Sequence, residues 1–147
     1  LWKYVASQLI TAGSIAVMMC IGLSVIGIRY APVLGLITGV LEVIPYFGPF
    51  ISAVPIVAVA SVQGWSQVLW SIVILFCVQQ LESLIIAPVI VGNSIKLHPA
   101  VVMIVILLGN LLFGIAGMIF AVPIVLAARV TVQNIYSTMI KLRQVKV

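Results

Sequence analysis

The sequence predicts an all-α fold: a polytopic transmembrane helical bundle with interrupted helices or helical hairpins. Three observations carry that prediction. No Lys, Arg, Asp or Glu occurs from Leu9 to Ile28, from Val43 to Leu81, or from Leu97 to Ala128. Each run reaches or exceeds the ~20 residues needed to cross ~30 Å of hydrocarbon. Hydrophobic residues make up 65% of the chain and charged ones 6%, too few to give soluble amphipathic helices their charged outer faces. Finally, Pro and Gly cluster inside two of the apolar stretches, where they interrupt helix without adding charge.

The elements follow in order. Leu9 to Ile28 reads as one transmembrane helix, with Ala12, Gly13, Ala16, Gly22 and Gly27 as small packing positions. Val33 to Val62 is broken by Glu42, Pro45, Gly48, Pro49 and Pro55. Each half has about a dozen residues, some 18 Å of helix, and spans nothing alone. The segment is therefore either one broken helix or a re-entrant hairpin with its tip at Pro45–Pro49. Gly64 marks a turn, and Trp65 and Trp70 suit an interfacial aromatic belt. A helix follows from about Ser66 to Ile86 or beyond, disturbed at Pro88. Gly92 to Pro99 is a polar connector. Pro99 to Ala128 is long enough for one tilted span or a tight hairpin, and Gly109 and Asn110 at its centre favour the hairpin. Residues 130–147 form a basic tail helix. The whole chain, 1–147, reads as a single transmembrane domain, and its opening in mid-pattern is expected of the C-terminal portion of a longer protein. Paired discontinuous segments can mark inverted repeats, though no clear sequence repeat is visible.

Arg129, Lys141, Arg143 and Lys146 follow the last apolar run, so the +5 charge is a positive-inside signal and not a nucleic-acid one. It predicts a multi-pass protein with a cytoplasmic C-terminus. Cys20 and Cys77 lie deep in apolar runs and read as small hydrophobes. No metal-ligand cluster, Ser/His/Asp set or phosphate-binding Gly loop appears. The expectation is a protein that is not an enzyme and has no cofactor or metal.

Ionisable groups are costly in a span, roughly 2.5–3.5 kcal/mol at its centre, so the few present locate the candidate chemistry. At helical spacing Gln79, Glu82 and Ser83 share one face, while Gln80 points elsewhere. A carboxylate, an amide and a hydroxyl could coordinate a cation, relay a proton or bind a polar solute. Alternatively, Glu82 sits at the interface and reaches for headgroup water. Glu42, just before Pro45, could be a second gating or ion-binding carboxylate, or simply a group exposed at a helix end. Broken backbone at membrane depth must be buried in protein or line a water-filled cavity. Pro45, Gly48, Pro49, Gly109, Gly114 and Gly117 are the candidate gating breaks. The connector holds Lys96, His98 and Pro99. His98 could sense pH or be structural, and Lys96 could pair with Glu82 if the loop folds back.

Four blocks then carry a resemblance: Glu42, Ile44, Pro45, Tyr46, Phe47, Gly48, Pro49 and Pro55; Gln79, Gln80 and Glu82; Pro88, Ile90, Gly92, Leu97, His98 and Pro99; and Leu112 through Gly117 with Ala121, Val122 and Pro123. In order and spacing they closely resemble the C-terminal half of the autoinducer-2 exporter family of bacterial membrane proteins. The resemblance implies transport without a covalent step, in the bacterial cytoplasmic (inner) membrane. It implies autoinducer-2 efflux, as linked to some members, or sodium- or lithium-proton antiport, as others are thought to perform. It also implies a homo-oligomer. The expected partners are therefore a small polar solute or a monovalent cation and proton, the lipid bilayer, and further copies of the chain, with no nucleic acid. A non-transporting membrane scaffold acting through the basic tail is the third reading.

Overall fold

A computed structural model describes residues 2–90 and 98–144. Among the described residues the order is α1 (Trp2–Val25), α2 (Ala31–Leu41), α3 (Gly48–Gln63), α4 (Trp65–Leu81), a π-helical turn (Glu82–Ile86), α5 (Ala87–Ile90) and α6 (Pro99–Gln144), with no strand. The all-α prediction is met. The chain divides into two units, Trp2–Lys96 and Leu97–Val147.

In the first unit α1 ends where Gly27 adopts φ 75°. The Ile28 N–H donates to the Leu23 carbonyl at 2.9 Å and the Gly27 N–H to the Ser24 carbonyl at 3.0 Å. That pair of bonds is a Schellman motif, and burial of Ile28 and Leu23 completes it with an apolar contact. Helix α2 starts with a Pro in its first turn, where a missing N–H loses nothing. It runs back along α1 through two glycines. A Cβ at Gly39 would lie 2.6 Å from the Ala12 carbonyl oxygen, and one at Gly35 would collide with Cys20. Small residues at these points let the backbones close, as membrane helices favour. The Cys20 thiol donates to the Pro32 carbonyl at 3.3 Å across the same seam.

The open question over residues 33–62 is settled in favour of the hairpin. The side-chain amide of Gln63, at the end of α3, donates to the Gly27 carbonyl at 2.9 Å and accepts from the Arg29 N–H at 2.8 Å. The outer ends of α2 and α3 therefore lie together, and the 42–47 turn is a tip. Ile15, Met19, Leu23, Leu34, Ile56, Ala60, Val68 and Leu75 fill the core between α1, the hairpin and α4. Outward positions are apolar too, including Val17, Ile21, Leu36, Phe50, Val54, Leu69 and Phe76. Tyr4–Val25 and Trp65–Ile86 are long and apolar enough to cross a membrane, and so by composition is Ala100–Val132.

In the second unit that last stretch is not one straight span. Gly114 has φ 62° and ψ −144°, which breaks α6 into two helices. A Cβ at Gly109 would lie 2.5 Å from the Gly117 carbonyl oxygen and 3.1 Å from the Ala121 Cβ. Residues eight and twelve apart meet that way only if the helix folds back, since a straight helix separates them by ~12 and ~18 Å. Residues 99–113 and 115–144 are the two arms. The second runs unbroken past Arg129 into the basic tail.

Candidate functional site

The tip of the α2–α3 hairpin is built around a tight reversal. Tyr46 takes φ 65°, and the Phe47 N–H donates to the Pro45 carbonyl at 2.8 Å. A left-handed tyrosine is a strained position held by its surroundings, the kind of backbone that clusters at functional sites. Gly48 is required here: a Cβ would lie 2.5 Å from the Leu41 carbonyl oxygen and 2.8 Å from the Glu42 Cα. Glu42 is the first residue of this turn and is 4% exposed. Its peptide carbonyl accepts a 2.8 Å hydrogen bond from the side-chain amide of Gln8, near the start of α1.

The Glu42 carboxyl group meets the side chains of Glu82 and Gln79 at the end of α4. Two carboxyl groups in contact repel when both are ionised and bind when a proton lies between them. The contact therefore joins the hairpin tip to α4 through a group that can gain or lose a proton. The second carboxyl oxygen of Glu42, Oε2, is buried and has no partner; so is Thr11 Oγ1 on α1. A buried polar atom left unpaired costs ~1–3 kcal/mol, and these are the two such side-chain atoms among the described residues. Thr38, Ser52 and Ser71 are also buried, but each hydroxyl is spent on a carbonyl of its own helix.

Of the residues expected to share the α4 face, Glu82 and Gln79 come to the tip and Ser83 does not. Ser83 is exposed and donates to the Gln80 carbonyl at 3.2 Å. The π-helical turn at Glu82–Ile86 is the cause. Its wider ladder rotates the residues after Glu82 away from regular helical spacing, and such turns recur at functional positions. Pro88 gives a reason for it, since its ring clashes with the carbonyl four residues back, at Leu84.

Pro45, Gly48 and Pro49 form the tip and the first turn of α3. Gly109, Gly114 and Gly117 form the fold-back of α6 in the other unit. His98 precedes α6 and caps it: the Ala100 N–H donates to its Nδ1 at 3.3 Å and the Val101 N–H to its carbonyl at 2.9 Å. Pro99 is the first residue of that helix. Lys96 lies outside the described residues, as do Gly92 and Leu97. Gln8, Thr11 and Gln63 were not among the expected site residues. Gln8 and Thr11 stand three apart among other uncharged polar residues, Ser7 and Ser14, so no signal in the sequence set them apart. Among the described residues no three His, Cys, Asp or Glu side chains gather as a metal site.

Residues 1–137 match the family model described as AI-2E family transporter. Three relatives are each named Putative transport protein. YrrI of Bacillus subtilis (strain 168) is 45% identical over 123 residues, 84% of this chain and 35% of the relative. YueF of the same organism is 32% identical over 141 residues, 96% of this chain and 38% of the relative. One from Thermotoga maritima is 33% identical over 122 residues, 82% of this chain and 38% of the relative. The chain thus spans between a third and two-fifths of the length of these proteins. No solved structure matches it.

Proposed function

Because the chain belongs to the AI-2E family of membrane transporters, we propose that the full-length protein exports a small polar solute across the bacterial cytoplasmic membrane, with autoinducer-2 as the solute to test first. The contact of Glu42 with Glu82 and Gln79 at a re-entrant tip carries this reading. It sets carboxyl and amide groups beside broken backbone, and broken backbone inside a membrane protein lines a cavity or lies buried in protein. Glu82 and Gln79 line the path, Glu42 closes it from the tip, and movement of the tip alternates access. No covalent step is involved. The C-terminal tail lies in the cytoplasm by its basic charge.

The test is autoinducer-2 flux in vesicles holding the full-length protein, wild type against Glu82→Gln. Wild-type flux that falls at least tenfold in the variant supports the reading. Equal flux in a folded variant removes Glu82 from the path.

One observation favours a second reading. Two neighbouring carboxyl groups can hold one proton between them and exchange it for a cation, the minimum equipment of a sodium- or lithium-proton antiporter. Sodium-induced proton flux that Glu82→Gln abolishes would favour it, and no such flux in the wild type would sink it.

A further inference from the structure

Thr11 has no role in the account so far, and its position is informative. It is 4% exposed, and its hydroxyl has no hydrogen-bond partner. Threonines buried in helices ordinarily spend the hydroxyl on a carbonyl one turn back, as Thr38 does on Leu34 at 2.8 Å. Thr11 does not.

Its direction follows from helix geometry. Gly22 of α1 faces α4, where a Cβ would lie 2.6 Å from the Ile74 Cγ2. Eleven residues are just over three whole turns at ~3.6 per turn, so Thr11 lies on the same face as Gly22. The two helices run in opposite directions, because the α1–α2 turn adjoins the end of α3 that feeds α4. Moving from Gly22 back to Thr11 therefore moves from Ile74 forward to the stretch Glu82–Ile86. Ala12, the next residue, faces Gly39 of α2. One turn earlier on α1, Gln8 holds the Glu42 peptide at 2.8 Å. Thr11 is thus set between the hairpin and the π-helical turn, at the level of the two carboxyl groups.

We propose that Thr11 is a ligand-contacting residue, and that its hydroxyl and the Glu42 Oε2 together bind a small, neutral, hydroxyl-bearing solute. The proposal deepens the export reading and rests on it for the identity of the solute. The chemistry suits that class. The Thr11 hydroxyl can both donate and accept, and a carboxyl oxygen can accept, so adjacent hydroxyls on one solute would be answered by two different walls of the site. A site with polar groups on two walls discriminates by the cost of leaving them unpaired when the matching hydroxyl is absent.

The experiment uses the full-length protein in vesicles, with autoinducer-2 as the transported probe. Thr11→Val keeps the side chain's shape and removes the hydroxyl, while Thr11→Ser keeps the hydroxyl. The expected result is a KM about tenfold higher for Thr11→Val, near wild type for Thr11→Ser, with a melting temperature in detergent that does not fall. A KM unchanged in Thr11→Val, with a lowered melting temperature, would make the hydroxyl a structural group bound to a trapped water and overturn the proposal. A second measurement does not depend on the solute. In a background whose other cysteines are replaced, Thr11→Cys should react with a water-soluble thiol reagent at least tenfold faster than Ile15→Cys, one turn further into the core. An inert Thr11→Cys overturns the site whether or not autoinducer-2 moves. A reactive one with no wild-type flux upholds the site on Thr11 and removes the solute instead.

Discussion

A carboxyl group inside a membrane protein needs an answering group, and Glu42 has one for each part of its side chain but the last oxygen. Glu82 and Gln79 meet its carboxyl, and Gln8 holds its peptide. Such precise provision for a residue in a turn is more than a chain reversal requires. At the same scale His98 has a structural task, one of the two readings the sequence left open for it: it is the N-terminal cap of α6. His98→Ala is expected to cost about 1 kcal/mol at that helix start, and His98→Asn, which restores a cap, much less. Hydrogen exchange at Ala100 to Val102 would measure both. The charged members of the candidate site were legible in the sequence because charges are so rare in these apolar runs, although an interfacial Glu82 and a Glu42 exposed at a helix end stood as equal alternatives. Gln8 and Thr11 were not, because uncharged polar residues occur in membrane helices for many reasons. The meeting of Glu42 with Glu82 was also hidden, since no local spacing relates residues so far apart along the chain.

Elements meet here through backbone more than through side chains. Gly35 and Gly39 on α2 admit α1 to within a carbonyl's reach, and Gly109 and Gly117 do the same inside α6. Gly35→Ala should destabilise the first unit by about 1–3 kcal/mol, the range for forcing an atom into a packed seam. Adding Cys20→Ala should recover only part of that, because the new Cβ also meets the Cys20 backbone nitrogen at 2.6 Å. Gly114→Ala should cost a similar ~1–3 kcal/mol, since its φ and ψ fall where essentially only Gly is found. Unfolding in detergent, followed by loss of helix signal, measures all three. The breaks themselves were readable from Pro45, Gly48, Pro49 and Gly114, although the second lies at Gly114 and not at the Gly109–Asn110 centre. Their geometry was readable only in part. The residues that end a helix are the same whether the chain goes on or turns back, and a side chain 36 residues from Gly27, Gln63, decides the first case.

For the whole molecule, three helices among the described residues are long and apolar enough to cross a membrane. The hairpin that the sequence favoured for the third charge-free run is met by the fold-back at Gly114, while the second run, Val43 to Leu81, is divided between α3 and α4. The outward faces of α1 to α4 are as apolar as the core, so lipid and not water is their solvent. Placed in a bilayer beside α1 and α4, a re-entrant hairpin enters and leaves on one side and carries its tip toward the other. Arg29→Cys and Gly64→Cys should therefore react with an impermeant thiol reagent from one side of the membrane. Tyr46→Cys should react from the side that holds the start of α1. Reaction of all three from the same side would contradict a hairpin of this depth.

The Glu42–Glu82 contact also bears on how the protein is made. A ribosome delivers Glu42 forty residues before Glu82. Until then its carboxyl has neither Gln79 nor Glu82 to meet, and neither arm of the hairpin is long enough to be taken up as a span. The insertion machinery should therefore commit α1 first and hold the hairpin at the bilayer surface or in its own aqueous vestibule. Emergence of α4 then draws the tip inward. Order of synthesis would in this way become order of assembly, with the candidate site as the last joint to close.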